Sequence, residues 1–122
     1  MSRAEKLVGS WGESLAACYV TERRGMEILC RNWYTNHGEI DIVARDGDCT
    51  VFIEVKTRQG NLYGTGTETI TGKKKAALLR AAEAYAVKHG LYDTPMRFDV
   101  VEITRDGEQT RLKYFENAEI GW

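Results

Sequence analysis

Gly38-Glu39-Ile40-Asp41-Ile42-Val43-Ala44, followed after Asp46-Gly47-Asp48 by Val51-Phe52-Ile53-Glu54-Val55-Lys56, is the stretch whose reading decides the fold. Both halves alternate apolar and polar residues with the period of two expected of half-buried strands. Ile40 and Ile42 are expected on one side of the first strand, with Glu39 and Asp41 on the other. In the second, Val51, Ile53 and Val55 oppose Glu54 and Lys56. Asp46-Gly47-Asp48 is a strong turn signal, so the two strands read as a hairpin. A loop of two or four residues brings Asp41 and Glu54 onto one face. With Gly47-Asp48 as a two-residue loop they stand directly opposed, Cβ atoms about 4.5–5.5 Å apart. A three-residue loop would shift the register by one and put them on opposite faces.

Two carboxylates that close repel each other, and a bound divalent cation removes the repulsion. Hard oxygen ligands are what Mg²⁺, Ca²⁺ or Mn²⁺ prefer. Lys56 lies two residues beyond Glu54 on the same face, where an ammonium could balance charge, orient a water or stabilise the anionic transition state of phosphate hydrolysis. An ordinary solvent-facing strand whose charges pair with one another gives the same alternation, and the pattern alone does not separate the two readings.

A chain of 122 residues is expected to form one domain with a real core. No apolar run approaches membrane-spanning length, and Met1-Ser2-Arg3-Ala4-Glu5-Lys6 lacks the apolar core of a signal peptide. Cys18, Cys30 and Cys49 are odd in number and form no C-x-x-C pair, which argues against a disulfide framework or zinc ribbon and for reduced thiols in a cytoplasmic protein. The net charge of −1 is low for a nucleic-acid binder. If Glu13, Asp41 and Glu54 hold a metal, however, the rest of the chain stands at +2.

Working outward, residues 2–24 read as a helix with Ala4, Leu7, Val8, Trp11, Leu15, Cys18 and Tyr19 as its apolar face. Glu13 lies nearly opposite, beside Gly9, Ala16, Ala17 and Val20, with no Lys or Arg three or four residues away. It reads either as a carboxylate presented to something outside the helix or as an ordinary surface Glu. Met26–Tyr34 is a first strand, and the hairpin supplies the second and third. Residues 59–72 form a long Gly/Thr-rich loop, expected to be functional or mobile. Its end fails as a triphosphate-binding loop: the glycines are one residue too far apart, and Lys74 stands where Ser or Thr should ligate magnesium. A second helix follows to about His89, with Thr71 as candidate N-cap. Lys73-Lys74-Lys75 in its first turn oppose the helix dipole, a conflict that makes sense if the turn meets an external phosphate; a solvated lysine run is the plainer alternative. Met96–Thr104 is a mostly apolar fourth strand and Thr110–Phe115 a fifth. The expected architecture is α/β: a mixed central sheet flanked by helices.

A helix Glu, an Asp on the second strand and Glu-x-Lys on the third make a pattern that resembles the PD-(D/E)xK nuclease superfamily, whose restriction-endonuclease-like αβββαβ core has the order just read. Gly38–Ala44, Val51–Arg58 and Arg97-Phe98-Asp99-Val100-Val101 look more closely like the YraN family of small bacterial proteins, assigned as endonucleases similar to Holliday-junction resolvases. The resemblance runs from the Gly9–Glu13 region through Val101, and departs from the superfamily name in having Ile40, not Pro, before Asp41. It implies that Asp41 and Glu54 ligate Mg²⁺ or Mn²⁺ with the Val55 carbonyl, that Lys56 positions the attacking water, and that Glu13 completes the site. The implied activity is metal-dependent endonucleolytic cleavage of DNA, including branched or structured DNA, by a protein that works as a homodimer, with Arg58 and Lys73, Lys74 and Lys75 against the phosphate backbone. Two rivals remain. A non-catalytic nucleic-acid-binding or partner-binding module predicts salt-sensitive, EDTA-insensitive DNA binding. A protein–protein adaptor predicts no divalent-metal stabilisation.

Overall fold

The computed structural model describes residues 3–59 and 72–118. Helix α1 (Arg3–Glu22) leads into three antiparallel strands, β1 (Glu27–Tyr34), β2 (Glu39–Asp46) and β3 (Cys49–Gln59); helix α2 (Gly72–His89) follows, then β4 (Met96–Asp106) and β5 (Gln109–Phe115). The strands form one sheet in the order β1-β2-β3-β4-β5, antiparallel except between β3 and β4. This is the mixed sheet and αβββαβ core that the alternation and the element order predict. Most of the Gly/Thr-rich segment, the N-cap candidate Thr71, the side chains of Ala4, Leu7 and Val8, and Trp122 lie outside the described residues.

Each sheet face carries its own core. On one, α1 contributes Ala16, Ala17 and Val20 to a cluster with Ile42, Ala44, Val51, Ile53, Val101 and Ile103. On the other, Leu78, Ala81, Ala82 and Tyr85 of α2 cover Val43, Phe52, Phe98 and Val100. Their spacing of three and four residues is what turns one helical face inward. Alternate residues of β3 and β4 serve opposite cores, so both strands are buried on two sides and read as nearly continuous apolar runs.

Helix α1 presents a different face from the one its widest apolar stripe predicts. Ala16 and Val20 are fully buried, whereas Trp11, Leu15 and Tyr19 are only half-buried and Cys18 is exposed. The reason is closeness of approach. A Cβ on Gly12 would overlap the Thr57 side chain of β3, so only a row of small residues lets the helix backbone lie this near the sheet. The large residues are displaced to the flank, where Trp11, Leu15 and Tyr19 line an open groove with Thr110 and Leu112 of β5. The small second face bearing Glu13 is therefore the inward one.

Candidate metal and phosphodiester site

The β2–β3 register pairs Asp46 with Cys49 and Ile42 with Ile53, so the turn is the two-residue Gly47-Asp48. The next step of that register sets Asp41 against Glu54. The paired ladder stops there, and the Asp41 carboxylate takes over: its Oδ2 accepts a hydrogen bond from the Val55 backbone N–H at 2.8 Å. N–H and C=O of one strand residue point to the same side, so the Val55 carbonyl faces this same gap.

Strict alternation, expected to keep Ile40 and Ile42 on one face, fails at Asp41. Ile42 and Ala44 pack in the α1 core, but Ile40 packs in the α2 core with Val43. The neighbouring strand changes faces at the same level. Arg31 reaches Ser14 of α1 with a 3.4 Å hydrogen bond, whereas Trp33, two residues on, packs in the α2 core. Between them Asn32 has a φ of 55°, in the left-handed region. The β1–β2 ribbon thus turns over at Asn32 and Asp41, opening a notch beside β3 into which α1 and α2 both reach. A Cβ on Gly38 would stand 2.9 Å from the Ala77 carbonyl oxygen, so α2 also packs its backbone closely against the chain entering β2.

Glu54 is only 5% exposed. Its Oε1 lies 3.6 Å from Lys74 Nζ and 3.8 Å from Lys56 Nζ, within ion-pair range but beyond good hydrogen bonding, and its buried Oε2 has no hydrogen-bond partner. Burial and then the Asp41 charge push the Glu54 carboxyl up to about 7 against the pull of Lys74 and Lys56. Burial also raises Asp41, countered first by the Val55 N–H, while Glu39 adds to the rise and the two lysines oppose it. Glu13 is raised by burial and then by Asp41 and Glu39, with Arg31 opposing. Glu13, Asp41, Glu54 and Lys56 therefore belong to one electrostatic unit. Lys74, expected at the phosphate backbone, lies within ion-pair range of Glu54. Lys73 is exposed, and Lys75 and Arg58 are half-buried.

Two contributors escaped the sequence reading. Glu39 was placed on the Asp41 side by alternation but given no role. Asn32 falls inside the predicted first strand, whose reading gives it no role. With its NH₂ rather than its carbonyl turned toward the acids, the orientation that gives both ends of the amide a partner, Asn32 donates to Glu13 Oε1 at 2.7 Å and to Glu39 Oε1 at 3.0 Å. Nothing local in the sequence marks it beyond the tolerance of Asn for left-handed backbone.

Among the described residues, no three Asp, Glu, His or Cys side chains converge closely enough to share one ion. The donor set nonetheless suits a hard cation: carboxylate oxygens and a backbone carbonyl, with Glu54 Oε2 an uncommitted buried acceptor.

The sequence profile of the uncharacterised protein family UPF0102 matches residues 12–103, which include every acidic member of this notch. The chain belongs to UPF0102. This is the YraN family of the resemblance described above. A UPF0102 protein of Pelotomaculum thermopropionicum is 44% identical over 120 residues, 97% of this chain and 99% of the relative. One from Geobacter metallireducens is 43% identical over 118 residues, 97% of this chain and 96% of the relative, and one from Roseiflexus castenholzii 50% over 99 residues, 80% and 78%. The matches thus cover most of each of these relatives. No helix among its described residues is long and apolar enough to cross a membrane.

Proposed function

We propose that this UPF0102 protein is a divalent-metal-dependent nuclease that hydrolyses phosphodiester bonds in DNA, branched or structured DNA included. One observation carries the reading: two opposed acids at the splayed end of a hairpin, Glu54 buried with an unsatisfied oxygen and attended by two ammonium groups. A stable core has no use for such an arrangement, because each buried carboxylate raises the cost of ionising the other. Asp41, Glu54 and the Val55 carbonyl would hold Mg²⁺ or Mn²⁺, with Glu13 completing the set. A cation bound there supplies Lewis acidity toward a phosphoryl oxygen. Lys56 orients the attacking water or stabilises charge developing on the phosphate. Lys74 neutralises Glu54 and stands ready to meet phosphate, with Lys73, Lys75 and Arg58 in the outer ring of positive charge. The protein acts in the cytoplasm and on DNA as a homodimer.

The experiment is a cleavage assay over four-way junctions, flaps, linear duplex and single strands with Mg²⁺ or Mn²⁺. Wild type is expected to cut at least one branched substrate, EDTA to stop it, and Asp41→Asn or Glu54→Gln to lower the rate at least 100-fold while leaving the circular-dichroism spectrum unchanged. Cutting at the wild-type rate by either variant would remove the assignment.

The absence of a three-acid cluster among the described residues favours a second reading, a DNA-binding module without turnover. It predicts binding that weakens steeply with salt and is indifferent to EDTA.

A further inference from the structure

We infer that Asn32 is a positioning residue whose side-chain amide clamps Glu13 of α1 to Glu39 of β2 and so holds the helix carboxylate against the site. The inference rests on the metal-site reading above and adds a residue that neither the superfamily pattern nor the sequence points to.

Three observations carry it. The first is conformation: Asn32 holds a φ of 55° inside a strand, where a left-handed residue is out of place, and Asn is among the few residues that accept it. The second is register. Asn32 falls between the pairs Arg31–Ile42 and Trp33–Ile40, which sets it opposite Asp41, at the level where both strands change faces. The third is the side chain, which places its amide end 2.7 Å from Glu13 Oε1 and 3.0 Å from Glu39 Oε1; two carboxylate acceptors assign that end as the NH₂, one N–H to each acid. The adjacent Arg31 bonds Ser14, so β1 is tethered to α1 at two successive residues, Glu13 and Ser14.

The chemistry explains an amide in this place. Glu13 and Glu39 come from different elements and repel each other and Asp41. An Arg or Lys bridge would hold them by cancelling their charge. An amide supplies two donors in a fixed plane and no charge, so the acids are held while the notch keeps its attraction for a cation. Each acid commits one oxygen to Asn32. Partners one step removed from a metal typically change affinity or activity by about 10–100-fold when deleted.

The test is Mn²⁺ binding to the full chain, read from the electron-spin resonance signal of free Mn²⁺, for wild type, Asn32→Gly, Glu13→Gln and the double variant. Glycine keeps the left-handed backbone and removes only the amide. The expected result is a Kd at least 10-fold weaker for Asn32→Gly, a melting temperature in EDTA within about 3 °C of wild type, and no further weakening when Asn32→Gly is added to Glu13→Gln. An unchanged Kd in Asn32→Gly, with wild type binding Mn²⁺, overturns the inference alone. So does a full additional loss in the Glu13→Gln background, which would mean that Asn32 acts independently of Glu13. Failure of wild type to bind Mn²⁺ overturns the metal-site reading and this inference with it.

Discussion

Asp99 and Glu54 are both buried carboxylates, one step apart in the β3–β4 register and on opposite faces of the sheet, yet they live in opposite circumstances. Asp99 is fully buried and fully engaged. Its Oδ1 and Oδ2 take Arg97 Nε at 3.1 and 3.2 Å, Oδ2 also takes the Tyr114 hydroxyl, and Oδ1 takes the Asn117 N–H at 2.8 Å. Arg97 continues to Asp46 at 3.0 Å and Glu116 at 3.4 Å, and Arg24 joins Glu116 at 2.9 Å while lying over the Tyr114 ring. Glu54 has two ammonium groups at a distance and one oxygen with no partner. A buried charge that ties five segments together is structural. A buried charge left half-satisfied is a cost the fold carries for some other purpose.

The sharpest way to break this comparison is to remove one partner from each site. Arg97→Ala leaves Asp99 charged and buried, and is expected to cost about 3–5 kcal/mol in urea unfolding at pH 7. A loss below about 1 kcal/mol would show the network to be ornamental. Glu54→Gln should move the other way, raising stability at pH 8 by ~1–3 kcal/mol because it removes an ionised carboxylate from a dry site. The same cause gives a pH signature. The Glu54 carboxyl ordinarily titrates at 4.5 and in the folded chain at about 7. Between those values the native state keeps a proton that the unfolded chain has lost, so this group's contribution makes stability fall as pH rises from about 4.5 to 7 and then level off. Glu54→Gln should flatten that slope; an equally steep slope in the variant would assign it elsewhere.

Smaller effects separate the sites further. Tyr114→Phe withdraws one donor from Asp99 and should cost about 1–2 kcal/mol by chemical denaturation. Burial and then the Asp99 hydrogen bond raise the Tyr114 hydroxyl far above its usual range, so no tyrosinate is expected from this residue below pH 11 in an ultraviolet titration. Lys74→Ala is the gentlest change. Its side chain is 40% exposed and its contact with Glu54 long, so stability should shift by less than about 1 kcal/mol. Under the proposed function, cleavage should nonetheless slow at least 10-fold, a split between stability and activity that Arg97→Ala cannot produce.

How much of this was legible in the sequence follows from what kinds of force are local. Val51, Ile53 and Val55 opposite Glu54 and Lys56 were readable because a strand pleat is a local rule; the length of the turn was left open, and the two-residue Gly47-Asp48 turn of the structure sets Asp41 against Glu54. The inward face of α1 was misread because a stripe of large residues is louder than Gly12, Ala16 and Val20, and closeness to Thr57 is a property of another element. Ile40 was misplaced because the ribbon turns over at Asn32 and Asp41, a two-strand event that single-strand periodicity cannot express. The Asp99 network was invisible for the same reason: its members are scattered from Arg24 to Asn117.

Under the proposed function, the Asp41–Glu54 notch is built for a divalent cation. The most direct test is thermal melting at pH 8 across a Mg²⁺ and a Mn²⁺ titration, with wild type and Asp41→Asn side by side. Wild type should melt at progressively higher temperature as metal is added, since a ligand that binds only the folded state stabilises it by mass action, and the variant should not respond. A flat wild-type curve, or an equal rise in both proteins, would contradict the account.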